Sequence, residues 1–196
     1  MRYFLTILFI LTFKVSDSQN FIDGIIFCAK NQFDEKLRFI VDKDILNTNF
    51  EFNKSKTIIE IHNPKKGLER INLSEFKASE YPAIQIWLNY KLTYQNFDLT
   101  ELLVPYNLKC TTPWSKEDTQ EILEPYLKVL KKQTTIDLKK AIEIGKRNGL
   151  NEIYFWDIDY EKRKLIWTLK GKGSKVLKIN SKNGKIISEF IETSID

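Results

Sequence analysis

Few residues in this chain are of a type and spacing that could do chemistry. Acyl transfer by a serine or cysteine needs a base, usually histidine, held in turn by a third polar group. The 196-residue chain has one histidine, His62, between Ile61 and an Asn63-Pro64 turn, a place that reads as a solvent-facing strand end. Asp157 and Asp159 lie two apart in an alternating segment, so they share a strand face and imitate the carboxylate pair of an acid/base hydrolase. The plainer reading has them solubilise that face beside a hairpin turn. Gly171-Lys172-Gly173 joins two strands, whereas a phosphate-cradling glycine loop opens a helix. Two cysteines and one histidine do not complete a four-ligand zinc site. The expectation is a protein with no catalytic residue, no metal and no cofactor.

The cysteines carry a different implication. Behind Arg2, the run Tyr3–Phe13 is apolar but about half the length of roughly 20 residues that a membrane-crossing helix needs. Charge, apolar run and small residues form a secretory signal peptide over residues 1–18, with Ser16-Asp17-Ser18 as the cleavage region before Gln19. An uncleaved anchor is the rival reading. Cys28 lies too far from the apolar run for a lipoprotein junction. No other stretch is long enough to span, so no membrane contact is expected after cleavage, and the mature chain is expected to be exported, periplasmic or extracellular. In such an oxidising compartment Cys28 and Cys110 suggest one disulfide, with two free buried thiols as the alternative.

The elements that would position any site are clearest from Thr134 to Ile191. Leu138, Ala141, Ile142 and Gly145 recur at i, i+3, i+4 and i+7, an apolar stripe opposite Lys139, Lys140, Glu143, Lys146 and Arg147. Thr134 or Thr135 is placed to cap this helix, and Gly149 to end it in a left-handed conformation. The period then changes to two. Ile153–Asp159 and Lys164–Lys170 read as strands joined by the short polar turn Tyr160-Glu161-Lys162-Arg163. A third strand spans Lys175–Asn180, and Ser181-Lys182-Asn183-Gly184 is a tight turn into a fourth, Lys185–Ile191. The fold class is α+β, a helix packed on a four-stranded antiparallel meander over residues 134–196.

Residues Thr135–Ile187 resemble a PepSY domain, a small module of secreted and envelope-associated bacterial proteins. The pieces that carry the resemblance are Thr135-Ile136-Asp137-Leu138-Lys139-Lys140-Ala141-Ile142, the aromatic hairpin, and Leu177-Lys178-Ile179-Asn180-Ser181-Lys182-Asn183-Gly184-Lys185-Ile186-Ile187. Asn180 stands where the family usually has Asp, and Gly145 where it usually has Ala. The resemblance implies a helix on an antiparallel sheet and a role in restraining peptidases or binding envelope partners. It brings no active-site residue, and it covers little more than a quarter of the chain.

Residues 19–112 read as a β-rich N-terminal domain of unassigned fold. Asp34–Ile45 has helical spacing in Leu37, Ile40 and Val41, and Asn49–Phe52, Thr57–His62, Arg70–Phe76 and Tyr81–Tyr94 read as strands. In the last, Ile84, Ile86, Leu88 and Tyr90 face one way and Gln85, Trp87, Asn89 and Lys91 the other. One reading makes this half a degenerate copy of the helix-then-meander unit, although no stretch aligns. Residues 113–133 are a connector: Ser115 and Asp118 form a capping-box variant, Leu123, Tyr126, Leu127 and Leu130 a stripe, and Pro125 a point where the helix should kink or restart.

Charge and aromatics bound the partners. The formal charge is +5, from 31 Lys and Arg against 26 Asp and Glu, but the basic groups are scattered and mostly Lys. Nucleic acid is not expected, since it calls for a basic stripe with Arg prominent, and the lysines read as solvated faces. Trp87, Trp114, Tyr154, Phe155, Trp156 and Trp167 read first as core. In the aromatic hairpin, however, Ile153, Phe155 and Ile166 alternate against the Tyr154/Trp156/Ile158 and Leu165/Trp167/Leu169 sets, so both faces are apolar. One must cover the helix; Phe155 and Ile166 mark the other as a candidate interaction surface. The expected function is an exported, non-enzymatic, PepSY-like binding protein whose partner is a peptidase or an envelope protein. The alternative is a structural or assembly factor of the envelope with no dedicated ligand.

Overall fold

A computed structural model describes residues 2–77 and 81–192, with backbone alone for residues 2–19. It divides into two compact units, one of Met1–Leu92 with Glu101–Thr119, the other of Thr93–Thr100 with Gln120–Asp196. Both combine helix with antiparallel sheet, and the class is α+β as expected. Among the described residues no helix is long and apolar enough to cross a membrane.

The N-terminal unit opens with a long helix, α1 (Arg2–Ile40), and a short one, α2 (Lys43–Asn49). The helical backbone continues without a break through the expected cleavage region. The expected helix over Asp34–Ile45 is therefore the end of α1, a break at Val41-Asp42, and the start of α2; extended Asp42 (ψ 140°) makes the break, and its carbonyl accepts from Leu46 N–H. Ile22, Ile25, Ile26, Ala29, Phe33 and Leu37 are the buried stripe of α1. The strands are β1 (Phe50–Phe52), β2 (Ile58–Asn63), β3 (Gly67–Asn72), β4 (Ala83–Tyr94) and β5 (Phe97–Asn107). The sequence reading missed β5 and placed β3 three residues late.

The pairing is not a second meander. β4 holds β2 along Ala83–Trp87 and β1 along Tyr90–Leu92, with β5 also paired to it, while β3 hangs on β2. Ile86, Leu88, Tyr90 and Leu92 of β4 point into the core, as their alternation implies, whereas Ile84 is exposed. The Phe33 ring lies 4.9 Å from that of Tyr90, whose hydroxyl donates to Asp34 Oδ1 at 2.8 Å, fixing α1 on this face. Cys28 of α1 is bonded to Cys110 just beyond β5, 82 positions away. The half read as β-rich is thus a helix stapled over a sheet.

Helix α3 (Lys116–Leu130) begins with the reciprocal box: Asp118 N–H donates to Ser115 Oγ and Ser115 N–H to Asp118 Oδ2. It runs unbroken through Pro125 rather than restarting there. In the C-terminal unit α4 (Leu138–Arg147) is followed by β6 (Phe155–Glu161), β7 (Lys164–Gly171), β8 (Lys175–Asn180) and β9 (Ile186–Ile191), in the sheet order β6-β7-β8-β9. The cap of α4 is Asp137, not Thr134 or Thr135: its carboxylate accepts from Lys140 N–H at 2.9 Å. Gly149 ends it at φ +76°. Leu138, Ala141 and Gly145 are buried against the sheet, and the Trp167 indole donates to Ile136 O at 2.8 Å. Gly184, in the tight turn between β8 and β9, comes close to Ile144 and Ile136 and has φ +72°, which suits glycine.

Candidate functional site

The candidate site is the sheet of the C-terminal unit, whose two faces differ. Ile158, Trp167, Leu169, Leu177 and Ile179 line the face that takes α4, and all are buried. The register puts Phe155 opposite Lys170, Lys170 opposite Val176, and Val176 opposite Phe190. These four residues form one row across the second face, with a phenylalanine on each edge strand about 14 Å apart. Phe155 is 41% exposed and Phe190 43%. Between them, Lys170 places its ammonium 5.2 Å from the Phe155 ring centroid and pairs with Glu192 at 2.7 Å. Val176 is buried beneath.

The expected Phe155/Ile166 patch needs correction. Ile166 is only 2% exposed, so it belongs to the buried layer and the two do not form one exposed surface. The reason is its place on the inner strand β7, opposite Asp159 on one side and Asn180 on the other. The apolar residue that does share the open face with Phe155 is Phe190. The sequence shows the alternation within β9, but the row emerges only from register across four strands.

The two edges also differ. On β6, the Trp156 indole donates to Asp98 O at 2.8 Å, and its ring meets Phe97 edge-on at 6.2 Å. Tyr126 donates to Asp157 Oδ1 at 2.7 Å, and Tyr160 to Glu124 at 3.1 Å. Burial and the Asp157 hydrogen bond push the Tyr126 hydroxyl well above the usual tyrosine range, so it stays a donor. β9 pairs only with β8 in the sheet, leaving its other side with no strand partner among the described residues. Ile187 and Ile191 on this strand are exposed, Ile191 to 70%.

Of the chemistry-bearing residues, His62 belongs to one unit and Asp157 and Asp159 to the other. Asp157 is occupied by Tyr126 and by Ile158 N–H, while Asp159 is exposed and accepts from Tyr160 N–H. His62 is exposed on β2 in the other unit. Among the described residues no group of three or more His, Cys, Asp or Glu could hold a metal ion. Compared with known proteins, the chain matches no family, no curated sequence and no solved structure.

Proposed function

We propose that this is an exported, non-enzymatic binding protein that takes an extended segment of a partner protein along β9. The observation that carries the reading is the open edge of β9 beside Phe190, in a sheet whose opposite edge strand, β6, has its side chains Trp156, Asp157 and Tyr160 bonded to the Asp98 carbonyl, Tyr126 and Glu124. Strand addition gains main-chain hydrogen bonds, and exposed alternate side chains such as Phe190 supply specificity. Restraint of a peptidase, the mode implied by the PepSY resemblance, fits an edge that offers a non-productive strand partner. The Cys28–Cys110 bond fits the oxidising compartment to which the N-terminal segment points.

A photo-reactive phenylalanine analogue at Phe190, in the full chain expressed with its N-terminal segment, tests this. A discrete protein adduct is expected at Phe190 and none from the same analogue at Lys146, on the outer side of α4. No adduct at Phe190, or the same adducts from both positions, would remove the edge-strand reading.

A further inference from the structure

The turns at one end of the C-terminal sheet bring together cations that the sequence keeps apart. Because the strands alternate in direction, the β6–β7 turn (Lys162-Arg163) and the β8–β9 turn (Ser181–Lys185) share that end. The approach to α4 lies there too: Ile136 N–H donates to Ser181 O at 2.8 Å, and Ser181 N–H to Leu165 O at 3.0 Å. Between them is a cleft of about 540 Å³ lined by Lys128, Arg163, Lys164 and Lys182, with Thr134 and Thr135. No aspartate or glutamate lines it. An adjoining hollow, sharing Lys164, adds Lys162 and Lys185, and its one acid, Glu161, is paired with Lys178.

We propose that this cleft is a binding site for a compact ligand carrying two or more phosphate groups. Glu124 offsets Lys128, but the like charges of Arg163, Lys164 and Lys182 gathered beside it repel one another, and a multivalent anion removes that cost. Lys128 is already oriented, with Glu124 at 3.2 Å and the Tyr160 ring centroid at 5.0 Å. The hydrogen bonds it donates to Tyr160 and Glu124 hold its pKa above the ordinary lysine value, so it stays charged. Arg163 presents a planar fork that fits phosphoryl oxygens two at a time. The volume falls in the range of small-molecule sites.

Backbone conformation supports the same conclusion. Lys162 and Arg163 occupy a two-residue hairpin turn with φ +48° and +64°, the left-handed region that asparagine and glycine fill most easily. The β8–β9 turn uses Gly184 in that region. The β6–β7 turn instead holds two long cations in an unfavourable conformation, and strain of this kind concentrates at functional sites. The proposal is independent of partner binding at β9, since Phe190 lies toward the other end of the sheet.

The test is titration of the full chain with sodium tripolyphosphate, followed by amide chemical shifts. Saturable one-site binding is expected, with shifts at Thr134, Thr135, Arg163–Leu165 and Ser181-Lys182. The Arg163→Gly, Lys182→Gln variant should bind at least tenfold more weakly. Arg163→Gly alone should not lower the thermal midpoint, because glycine suits the turn, so weaker binding there is not a folding defect. Unchanged affinity in the double variant, or an equal loss in Lys146→Gln on the outer side of α4, overturns the proposal. Binding to phosphatidylglycerol vesicles or to single-stranded oligonucleotide with none to tripolyphosphate also overturns it, assigning the cations to an extended surface.

Discussion

Both units lay a helix on one face of an antiparallel sheet, but they close that arrangement over very different lengths of chain. In the C-terminal unit each strand pairs with its neighbour in sequence, through turns of a few residues. In the N-terminal unit β2 reaches past β3 to pair with β4, and α1 is tied to the far end of the unit by a bond spanning 82 positions. Closing a long loop costs more entropy than closing a short one. The local unit holds together by packing and turn geometry, while the non-local one carries a covalent tie that limits its unfolded ensemble.

The largest expected effect tests that contrast directly. Replacing both cysteines, Cys28→Ser with Cys110→Ser, should destabilise the N-terminal unit by about 4–5 kcal/mol on the chain-entropy account. Native-state hydrogen exchange at Leu88 and Leu92 should report the loss, with little change at Trp167 and Leu177. Equal losses in both units would erase the distinction. An intermediate effect is expected from the opposite side. A Cβ at Gly171 would sit 2.5 Å from the Asn151 carbonyl oxygen and 2.9 Å from Leu150 Cγ. Gly171→Ala should therefore cost about 1–3 kcal/mol, read in a urea midpoint and confined to the C-terminal unit. A neutral result would show that its close packing gives way easily.

The smallest effect concerns alkaline pH and sharpens the comparison within the N-terminal core. Burial, with a smaller contribution from the Asp34 carboxylate, pushes the Tyr106 hydroxyl from 10.0 up to about 12. A raised folded-state pKa means the folded protein holds its proton longer than the unfolded chain. The stabilisation is then complete below about pH 10 and lost as pH rises toward 12. Tyr106→Phe should thus show a shallower fall in stability between about pH 10 and 12 than the wild type. Parallel curves for the two proteins would assign the titration elsewhere.

What the sequence reveals follows the same division. The α4 stripe, the Lys175–Asn180 strand and the turns at Asn183-Gly184 and Lys162-Arg163 are legible because each is decided within a few residues. The β5 strand is hidden by Pro105 and by a Gln95-Asn96 turn without glycine, although both residues are left-handed, at φ +49° and +67°. Asp137 rather than Thr134 or Thr135 caps α4 because the chain entering the helix is held to Ser181 through Ile136, a contact 45 positions away. The site was the least legible part. Ile166 and Phe155 share a strand-face parity, but register and strand position decide that one is buried and the other not. Likewise, Lys128, Arg163 and Lys182 become neighbours only once three turns of chain are folded back.

The tip of the β4–β5 hairpin has a further consequence. Thr93–Thr100 clusters with the C-terminal unit, and Asp98 and Phe97 supply the polar and aromatic neighbours of Trp156. A fragment excised at the start of α3 or α4 would leave that loop behind and expose an indole N–H that had an acceptor. The C-terminal module is therefore not a portable cassette: transplanting it calls for grafting a distant hairpin as well.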